Sequence, residues 1–421
     1  MPVFPDALRS LRHRNYRLFC SGQAISLVGT WMQYVALSWL VYRLTGKAAM
    51  LGLMSFCNLI PVFLLAPVGG LVADRVPSRR LLLTTQTASM VLALVLALLT
   101  LTGAVRIWHL FVCGLLLGTC NAFDNPGRQV FAARAVPRAD LMNAVALNSS
   151  MVTGARIVGP ALAGILVAAI GEGWCFFCNG VSYLAVIAGF LAMRFPPRDP
   201  APAAGPGQSQ VRRLLEGVAL VRHTLPIRDL LLLLGMVSLL GTPHQILLPI
   251  FAAEVFHGTS RTFGLLSALS GAGALAGALT LAIRPDHHGL GRWIATTALG
   301  FGAALMAFAG SRWLPLSGLL LMLGGFCYMV ELAATNTMIQ MMVPDAFRGR
   351  VMSLHAMMFL GMSPLGGLLA GLVAHRLGAP ATVALGGLGC AACGAAFTLR
   401  YRSWREGARV LVRAAEAEHR G

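Results

Sequence analysis

Two charged side chains interrupt long apolar stretches of this sequence and are its first candidates for chemistry. Arg156 lies within the apolar stretch 145–170, and Glu331 lies within 314–335. Arg156 would be roughly 15 Å deep in a helix that rises ~1.5 Å per residue. An ionisable group at such depth faces a cavity, a ligand or an opposite charge. For Arg156 the sequence leaves substrate contact, coupling and a structural ion pair open. For Glu331 it favours an ion-pairing role at the end of its helix over carrying a proton.

The densest charge cluster lies between two other apolar stretches. The segment 70–80 reads Gly-Leu-Val-Ala-Asp-Arg-Val-Pro-Ser-Arg-Arg. Gly70 is small enough to let two helices approach, and Asp74 can cap or pair with a helix end. Arg75 and Arg79 can pair with carboxylates at the ends of neighbouring helices. The cluster therefore predicts a latch at one face of a helical protein.

Polar and aromatic residues in the middle of apolar stretches are candidates for contacting a lipophilic ligand that has few polar groups. Together with Arg156, these candidates are Trp31, Gln33, Tyr34, Asn148, His244, Gln245 and Asn336. For any one of them, a hydrogen bond between helices is the more common role. Close helix packing and bends are predicted by a second set of small or rigid residues: Gly159, Pro160, Gly164 and Pro364.

The elements that must position these residues are membrane-spanning helices. The chain has 421 residues, of which 57% are hydrophobic and 11% charged, with a mean hydropathy of +0.73. Soluble domains carry about 25% charged residues, and a spanning helix needs about 20 apolar residues. Twelve such segments can be marked between positions 18 and 400. The sequence predicts an all-α polytopic membrane protein with twelve transmembrane helices in two six-helix bundles. No metal site, cofactor motif or catalytic constellation is expected.

The distribution of positive charge predicts the orientation. Of the 33 Lys and Arg residues, 26 fall on one side of the twelve-span arrangement and six on the other, with Arg156 inside a span. Arginine-rich loops stay in the cytoplasm, so both termini are predicted to be cytoplasmic. The net charge of +18 is not accompanied by a basic patch interleaved with aromatic residues, which argues against nucleic acid as a partner.

The two halves of the chain are predicted to be repeats. When the second half is aligned with the first, Gln33 falls on Gln245, and Asp124 falls on Glu331. Parallel six-helix repeats are how many secondary transporters are built. The predicted domains are an N-terminal bundle (1–193), a cytoplasmic linker with an amphipathic helix (194–229), a C-terminal bundle (230–400) and a cytoplasmic tail (401–421).

The charged segment 70–80 is similar to the signature between spans two and three of the major facilitator superfamily. The segments 15–23, 29–32, 123–129, 155–164 and 348–353 resemble the branch that contains bacterial drug exporters and the enterobactin exporter. The resemblance implies a charge relay between the 70–80 turn, an acidic residue ending span four and the start of span eleven. The gating residues expected on this basis are Gly70, Asp74, Arg75, Arg79, Asp124, Arg128, Glu331 and Arg350.

The function that the resemblance implies is secondary active export. The expected protein is a multi-pass monomer of the bacterial cytoplasmic membrane that moves a lipophilic, drug-like small molecule outward by alternating access, with proton antiport as the driving force. Alternatives are an exporter of a siderophore or other metabolite, a lysophospholipid flippase, and a transporter-like sensor or scaffold. An enzyme is not expected.

Overall fold

Membrane-length helices make up most of the chain. The computed structural model describes residues 6–193, 210–284 and 289–420, except for some side chains within them, that of Asp74 included. The described helices of the first part are α1 (Arg14–Thr45), α2 (Ala48–Arg75), α3 (Ser78–Leu101), α4 (Ile107–Arg134), α5 (Leu141–Ile170) and α6 (Glu172–Ala192). The middle part contains α7 (Gln210–His223), α8 (Leu225–Leu240), α9 (His244–Ile250) and α10 (Ser260–Ile283). The last part contains α11 (Leu290–Gly310), α12 (Leu314–Met342), α13 (Asp345–Ala356), α14 (Met362–Leu377), α15 (Ala379–Leu399) and α16 (Tyr401–Arg420).

Twelve helical segments of the described ranges are long and apolar enough to cross a membrane. They contain 21 to 32 residues each, and a crossing needs about 20. Backbone N–H and C=O groups must be satisfied inside the segment when lipid surrounds it, which is why apolar stretches of this length become helices. The predicted all-α fold with twelve transmembrane helices is confirmed.

Two of the twelve spans are interrupted rather than continuous. The seventh consists of α8, a turn at 241–243, α9 and a π-helical turn (Phe251–Val255). The eleventh consists of most of α13, a second π-helical turn (Met357–Gly361) and α14. Proline supplies a local cause, because it has no N–H to donate to the carbonyl one helical turn earlier. Pro364 thereby leaves the carbonyl of Leu360 in the second π-helical turn without its helical donor.

The chain divides into two compact units, and the first consists of Met1–Pro196 and Ile246–Gly271. It contains an aromatic core in which the rings of Phe19 and Phe131 are 5.5 Å apart and those of Phe131 and Phe190 are 4.9 Å apart. The buried Tyr16 hydroxyl donates a 2.6 Å hydrogen bond to the carbonyl of Ala144. This core ties α1, α4, α5 and α6 together.

The second unit consists of Pro197–Gln245 and Ala272–Gly421. Its helices α11 and α15 approach closely at a glycine pair, since a Cβ at Gly302 would lie 2.5 Å from the carbonyl oxygen of Gly387. The tail is held to this unit by Trp404, which is buried and donates a 3.0 Å hydrogen bond from Nε1 to the carbonyl of Pro226. The predicted domain boundaries stay a prediction, and residues 194–209 of the predicted linker lie outside the described ranges.

Candidate functional site

The arginine in the middle of α5 lies over one aromatic ring of α1, and a second aromatic ring lies beside the first, all within the first unit. Arg156 lies at the midpoint of α5, which begins at Leu141 and ends at Ile170. Its guanidinium carbon is 5.1 Å from the centroid of the Trp31 ring. The Trp31 and Tyr34 rings are 6.0 Å apart and nearly perpendicular. None of the described residues forms a salt bridge with Arg156, and all three side chains are partly exposed.

Glycine and proline explain why α5 presents this arginine to α1. A Cβ at Gly159 would lie 2.5 Å from the Cβ of Trp31 and 2.9 Å from the carbonyl oxygen of Val28, so only glycine permits this crossing. Pro160 follows directly and cannot donate to the carbonyl of Arg156. Further along the helix, a Cβ at Gly164 would lie 3.0 Å from the Cα of Gly264 in α10. The predicted packing residues of α5 therefore lie at its contacts with two other helices.

The other predicted substrate-binding residues have their own surroundings within each unit. Gln33 is buried, and its Oε1 accepts a 2.6 Å hydrogen bond from Nδ2 of Asn179. His244 is also buried, with Nδ1 2.7 Å from the carbonyl oxygen of Gly241. Asn336 accepts a hydrogen bond of 2.5 Å from Gln340 on the next turn of α12. The remaining two, Asn148 of α5 and Gln245 of α9, are partly exposed.

An acidic network is buried in the first unit, well before the end of α4 at Arg134. Asp124 is 2% exposed, and its Oδ1 accepts hydrogen bonds of 2.7 Å from Thr85 and 2.8 Å from Gln86, both on α3. Its Oδ2 pairs with the Arg128 guanidinium one turn later on α4. The carboxylate is thus fully compensated by one cation and two neutral donors.

The carboxyl group of Glu331 has no such partners. It lies inside α12 and is fully buried in the second unit. Neither carboxyl oxygen has a hydrogen-bond partner, and no Lys, Arg or His among the described residues pairs with it. Its polar neighbours among the described residues include the Thr335 hydroxyl one turn later on α12 and the Cys390 thiol of α15, and neither forms a hydrogen bond with it by distance and angle. Sequence reasoning placed Glu331 at a helix end, whereas the structure places it deep inside α12, because the helix continues to Met342.

The predicted gating turn is only partly described. Arg75 is exposed, and Arg79 donates a 3.0 Å hydrogen bond from Nη2 to the carbonyl of Leu191 at the end of α6. The Asp74 side chain lies outside the described residues. Of the neighbouring glycines 69 and 70, it is Gly69 that meets α4, because its Cβ would collide with the carbonyl of Ala122, while a Cβ at Gly70 would meet no atom within 4 Å.

The last predicted gating residue, Arg350, belongs to an ion pair in the second unit. Its Nη1 is 3.1 Å from Oε2 of Glu216 on α7, and its guanidinium carbon is 4.9 Å from the ring centroid of Phe347. A Cβ at Gly217 would lie 3.2 Å from the Cβ of Arg350, so glycine permits this approach of α7 to α13. The amphipathic helix of the linker is thereby connected to the start of span eleven.

Sequence reasoning missed several partners that the fold supplies. Glu216 lies in the predicted linker helix, and neither Glu216 nor the α3 donors to Asp124 are among the residues that the sequence predicts for the site. In the first unit the hydroxyl of Tyr42 donates a 2.9 Å hydrogen bond to Glu254, and the Trp39 and Phe263 rings stack 6.3 Å apart. A single sequence carries no signal for such pairs, since their members lie on different helices and meet only through tertiary packing.

The chain matches known proteins along most of its length. A family model described as transmembrane secretion effector matches residues 6–411. The staphyloferrin A transporter of Staphylococcus aureus is 25% identical over 377 residues, which cover 88% of this chain and 92% of that protein. Macrolide efflux protein A of Streptococcus pyogenes is 22% identical over 389 residues, covering 87% and 92%. The enterobactin exporter of Citrobacter koseri is 22% identical over 377 residues, covering 90% and 89%.

A solved structure has the same fold. A point variant of the nucleoside transporter NupG superposes with a TM-score of 0.73 at 14% identity, covering 94% of this chain and 99% of that one. The relatives named above export or transport small molecules, and the sequence-based assignment to the exporter branch is confirmed by them. A general role in export follows for this multi-pass membrane protein.

Proposed function

Because the chain belongs to the transmembrane secretion effector family of the major facilitator superfamily, we propose that it exports a lipophilic, drug-like small molecule by alternating access, driven by proton antiport. The family and the relatives are transporters, so the chain is not an enzyme. The protein acts as a monomer in the bacterial inner membrane, with both termini in the cytoplasm. The asymmetry of 26 positive charges against six supports this orientation.

The observation that carries the substrate proposal is the cluster of Arg156, Trp31 and Tyr34. Two aromatic rings provide apolar area, and the tyrosine hydroxyl and the guanidinium provide a few polar contacts, as binding sites for small molecules do. A guanidinium in the middle of a span is costly unless something compensates it. The Trp31 ring compensates part of that cost through a cation–π contact. A bound ligand supplies the rest in this proposal.

The same arginine favours a second candidate, a siderophore or another acidic metabolite. Arginine recognises carboxylates through two parallel hydrogen bonds, and no carboxylate of the described residues pairs with Arg156. The proteins named as transporting staphyloferrin A and enterobactin are relatives of this chain. A substrate with an acidic group and an aromatic or aliphatic body would use the guanidinium and the rings together. A lysophospholipid flippase remains the third candidate.

Proton coupling is supported by the environment of Glu331. An ionised carboxylate without a cation or hydrogen-bond donor in a protein interior costs several kcal/mol. The neutral, protonated acid is therefore the form that fits the buried site. Alternating access would expose the group to water, where it can release its proton. A group that is protonated when buried and ionised when hydrated meets the requirement for antiport.

The gating proposal rests on contacts that join different helices. Asp124 joins α4 to α3 through Thr85 and Gln86, and it is buried. Arg79 joins α3 to the end of α6 through a hydrogen bond, and Arg350 joins α13 to α7 through its pair with Glu216. The partly exposed pair of Arg350 with Glu216 contributes little to stability, about 0 to 1 kcal/mol. Small energies suit contacts that must break and re-form in each transport cycle.

The test is transport by inside-out membrane vesicles in which respiration acidifies the lumen. Adding a macrolide, staphyloferrin A or enterobactin should draw protons out of the lumen, seen as dequenching of a pH-sensitive dye, while the compound accumulates inside. An uncoupler should abolish accumulation. Vesicles without the protein are the control. Accumulation unaffected by the uncoupler would contradict proton antiport, and movement of labelled lysolipid without a pH gradient would favour the flippase.

A further inference from the structure

A long groove runs along the surface of the first unit between α3 and α4. Its volume is about 930 Å³. The side chains that matter most for its chemistry are Arg79 and Arg80 at one end and Leu83, Val91, Leu92 and Leu116 along its length. Val91 is 50% exposed and Leu116 is 47% exposed. Apolar side chains this exposed on spanning helices face the hydrocarbon of the membrane rather than water.

The length of the groove matches one leaflet of a bilayer. The part of α3 from Arg80 to Leu92 is ~18 Å long at a rise of ~1.5 Å per residue. The hydrocarbon core is about 30 Å thick, so one leaflet is about half of that. The groove therefore starts where lipid headgroups lie and ends near the middle of the bilayer. An acyl chain has the shape and polarity to fill it.

The charged end of the groove has N–H donors that no described residue accepts from. The Arg79 guanidinium donates through Nη2 to the carbonyl of Leu191, and its buried Nε has no acceptor. Arg80 is exposed, and its side chain forms no hydrogen bond with the described residues. Two adjacent guanidinium groups at headgroup level attract a headgroup of net negative charge more strongly than a zwitterionic one, whose own cation offsets its phosphate.

We propose that this groove is a binding site for an anionic glycerophospholipid. The phosphate lies against Arg79 and Arg80, and one acyl chain lies in the groove along Leu83, Val91 and Leu116. The positive-inside distribution predicts that this end of the unit is cytoplasmic, so the lipid comes from the inner leaflet. The site is separate from Arg156 and Glu331, and it does not depend on which compound is exported.

The test measures lipid binding to the purified full-length protein in a neutral detergent. Native mass spectrometry with equal amounts of phosphatidylglycerol and phosphatidylcholine of the same acyl chains should give mainly phosphatidylglycerol adducts. Arg80→Gln should weaken phosphatidylglycerol binding about fivefold, the effect of one arginine near a charged membrane surface. It should weaken phosphatidylcholine binding less, because the choline cation already offsets part of the attraction between its phosphate and Arg80. The matched control is Arg17→Gln, since Arg17 is also exposed in the first unit but does not line the groove.

A second variant tests the groove without changing its charge. Ala88 is exposed and lines the groove, so Ala88→Trp should fill it and weaken the binding of both lipids. Equal binding of the two lipids to the unmodified protein would overturn the proposal, as would an Arg80→Gln variant that binds phosphatidylglycerol normally. Displacement of the lipid by millimolar glycerol 3-phosphate would also overturn it, because the headgroup alone would then account for binding.

Discussion

Asp124 and Glu331 occupy corresponding positions in α4 and α12 but have opposite surroundings. Both lie well before the last residues of their helices. Asp124 accepts hydrogen bonds from two α3 side chains and pairs with Arg128, whereas both oxygens of Glu331 lack partners. The alignment of the two halves that matches the two acids also matches Arg128 with Thr335. A cation in the first half is thus replaced by a hydroxyl in the second.

The unpartnered acid leads to a prediction about coupling. Glu331→Gln keeps the size and polarity of the side chain but cannot release a proton. We expect proton-driven uptake into inside-out vesicles to fall to the level of vesicles without the protein, while exchange of labelled for unlabelled substrate continues. The matched control is Glu406→Gln, because Glu406 is exposed on α16 of the same unit. Proton-driven uptake by Glu331→Gln at the normal rate would assign coupling to another group.

The cation–π cluster leads to a prediction about substrate binding. Arg156→Gln removes the charge, and we expect the affinity for an acidic substrate to fall about 10- to 100-fold, because a hydrogen bond to a charged group contributes about 1.5–3 kcal/mol. Quenching of tryptophan fluorescence on titration measures it. Arg156→Lys should recover only part of the affinity, since lysine lacks the planar fork. Arg106→Gln, an exposed arginine of the same unit, is the control, and equal affinities for both variants would contradict the assignment.

The buried acid of α4 leads to a prediction about stability. Arg128→Ala leaves the Asp124 carboxylate buried without a cation, and breaking a buried pair in this way costs about 3–5 kcal/mol. The hydrogen bonds from Thr85 and Gln86 remain, so we expect the free energy of unfolding to fall by the lower end of that range. The loss is measured as a lower temperature of thermal unfolding in detergent. Asp124→Asn combined with Arg128→Ala should regain much of the loss. A double variant no more stable than Arg128→Ala would show that charge compensation is not the reason.

Two glycines of α5 provide a matched test of helix packing. Gly159→Ala places a Cβ 2.5 Å from that of Trp31, so α1 and α5 must separate, at a cost of about 1–3 kcal/mol. Gly154→Ala on the same helix meets no atom within 4 Å and should be neutral or stabilising, because alanine favours helix by up to about 1 kcal/mol. Thermal unfolding measures the change in stability of each variant, and substrate binding measures whether the site at Arg156 is preserved. Equal losses in the two variants would mean that the close crossing does not matter.

The ion pair between α7 and α13 leads to a prediction about gating. Arg350→Glu places a second negative charge beside Glu216, so the two side chains repel each other. We expect the variant to insert into the membrane but to transport more slowly. Exchanging both charges restores the pair, so the double variant Glu216→Arg with Arg350→Glu should recover most of the rate. Stability should change by no more than about 1 kcal/mol, because the pair is partly exposed. If the double variant does not recover transport, the pair of Glu216 and Arg350 is not a gating contact.

The amino-acid sequence by itself determined the helical spans and revealed the unusual acids and arginine, and it predicts the side on which positive charge accumulates and the repeat of the two halves. These properties depend on local composition, because each apolar segment must satisfy its own backbone in lipid whatever its neighbours are. The confirmed twelve-helix fold belongs to this group, whereas the confirmed exporter branch was identified from the resemblance of short motif segments to a known family. Glu331 and Arg156 were noticed for the same reason, since charge within an apolar segment is visible without knowing the fold.

Only the tertiary structure decided what each of these residues meets. Gln33 is engaged by Asn179, although its position in the sequence is as suitable for a ligand as that of Tyr34. The contact at Gly69 rather than Gly70, and the lack of a cation beside Glu331 among the described residues, are equally invisible in the sequence. All of them depend on which face of a helix turns toward which other helix. That choice is made by packing between segments far apart in the chain, where a small rotation of a helix exchanges the face that meets a neighbour for the face that meets lipid.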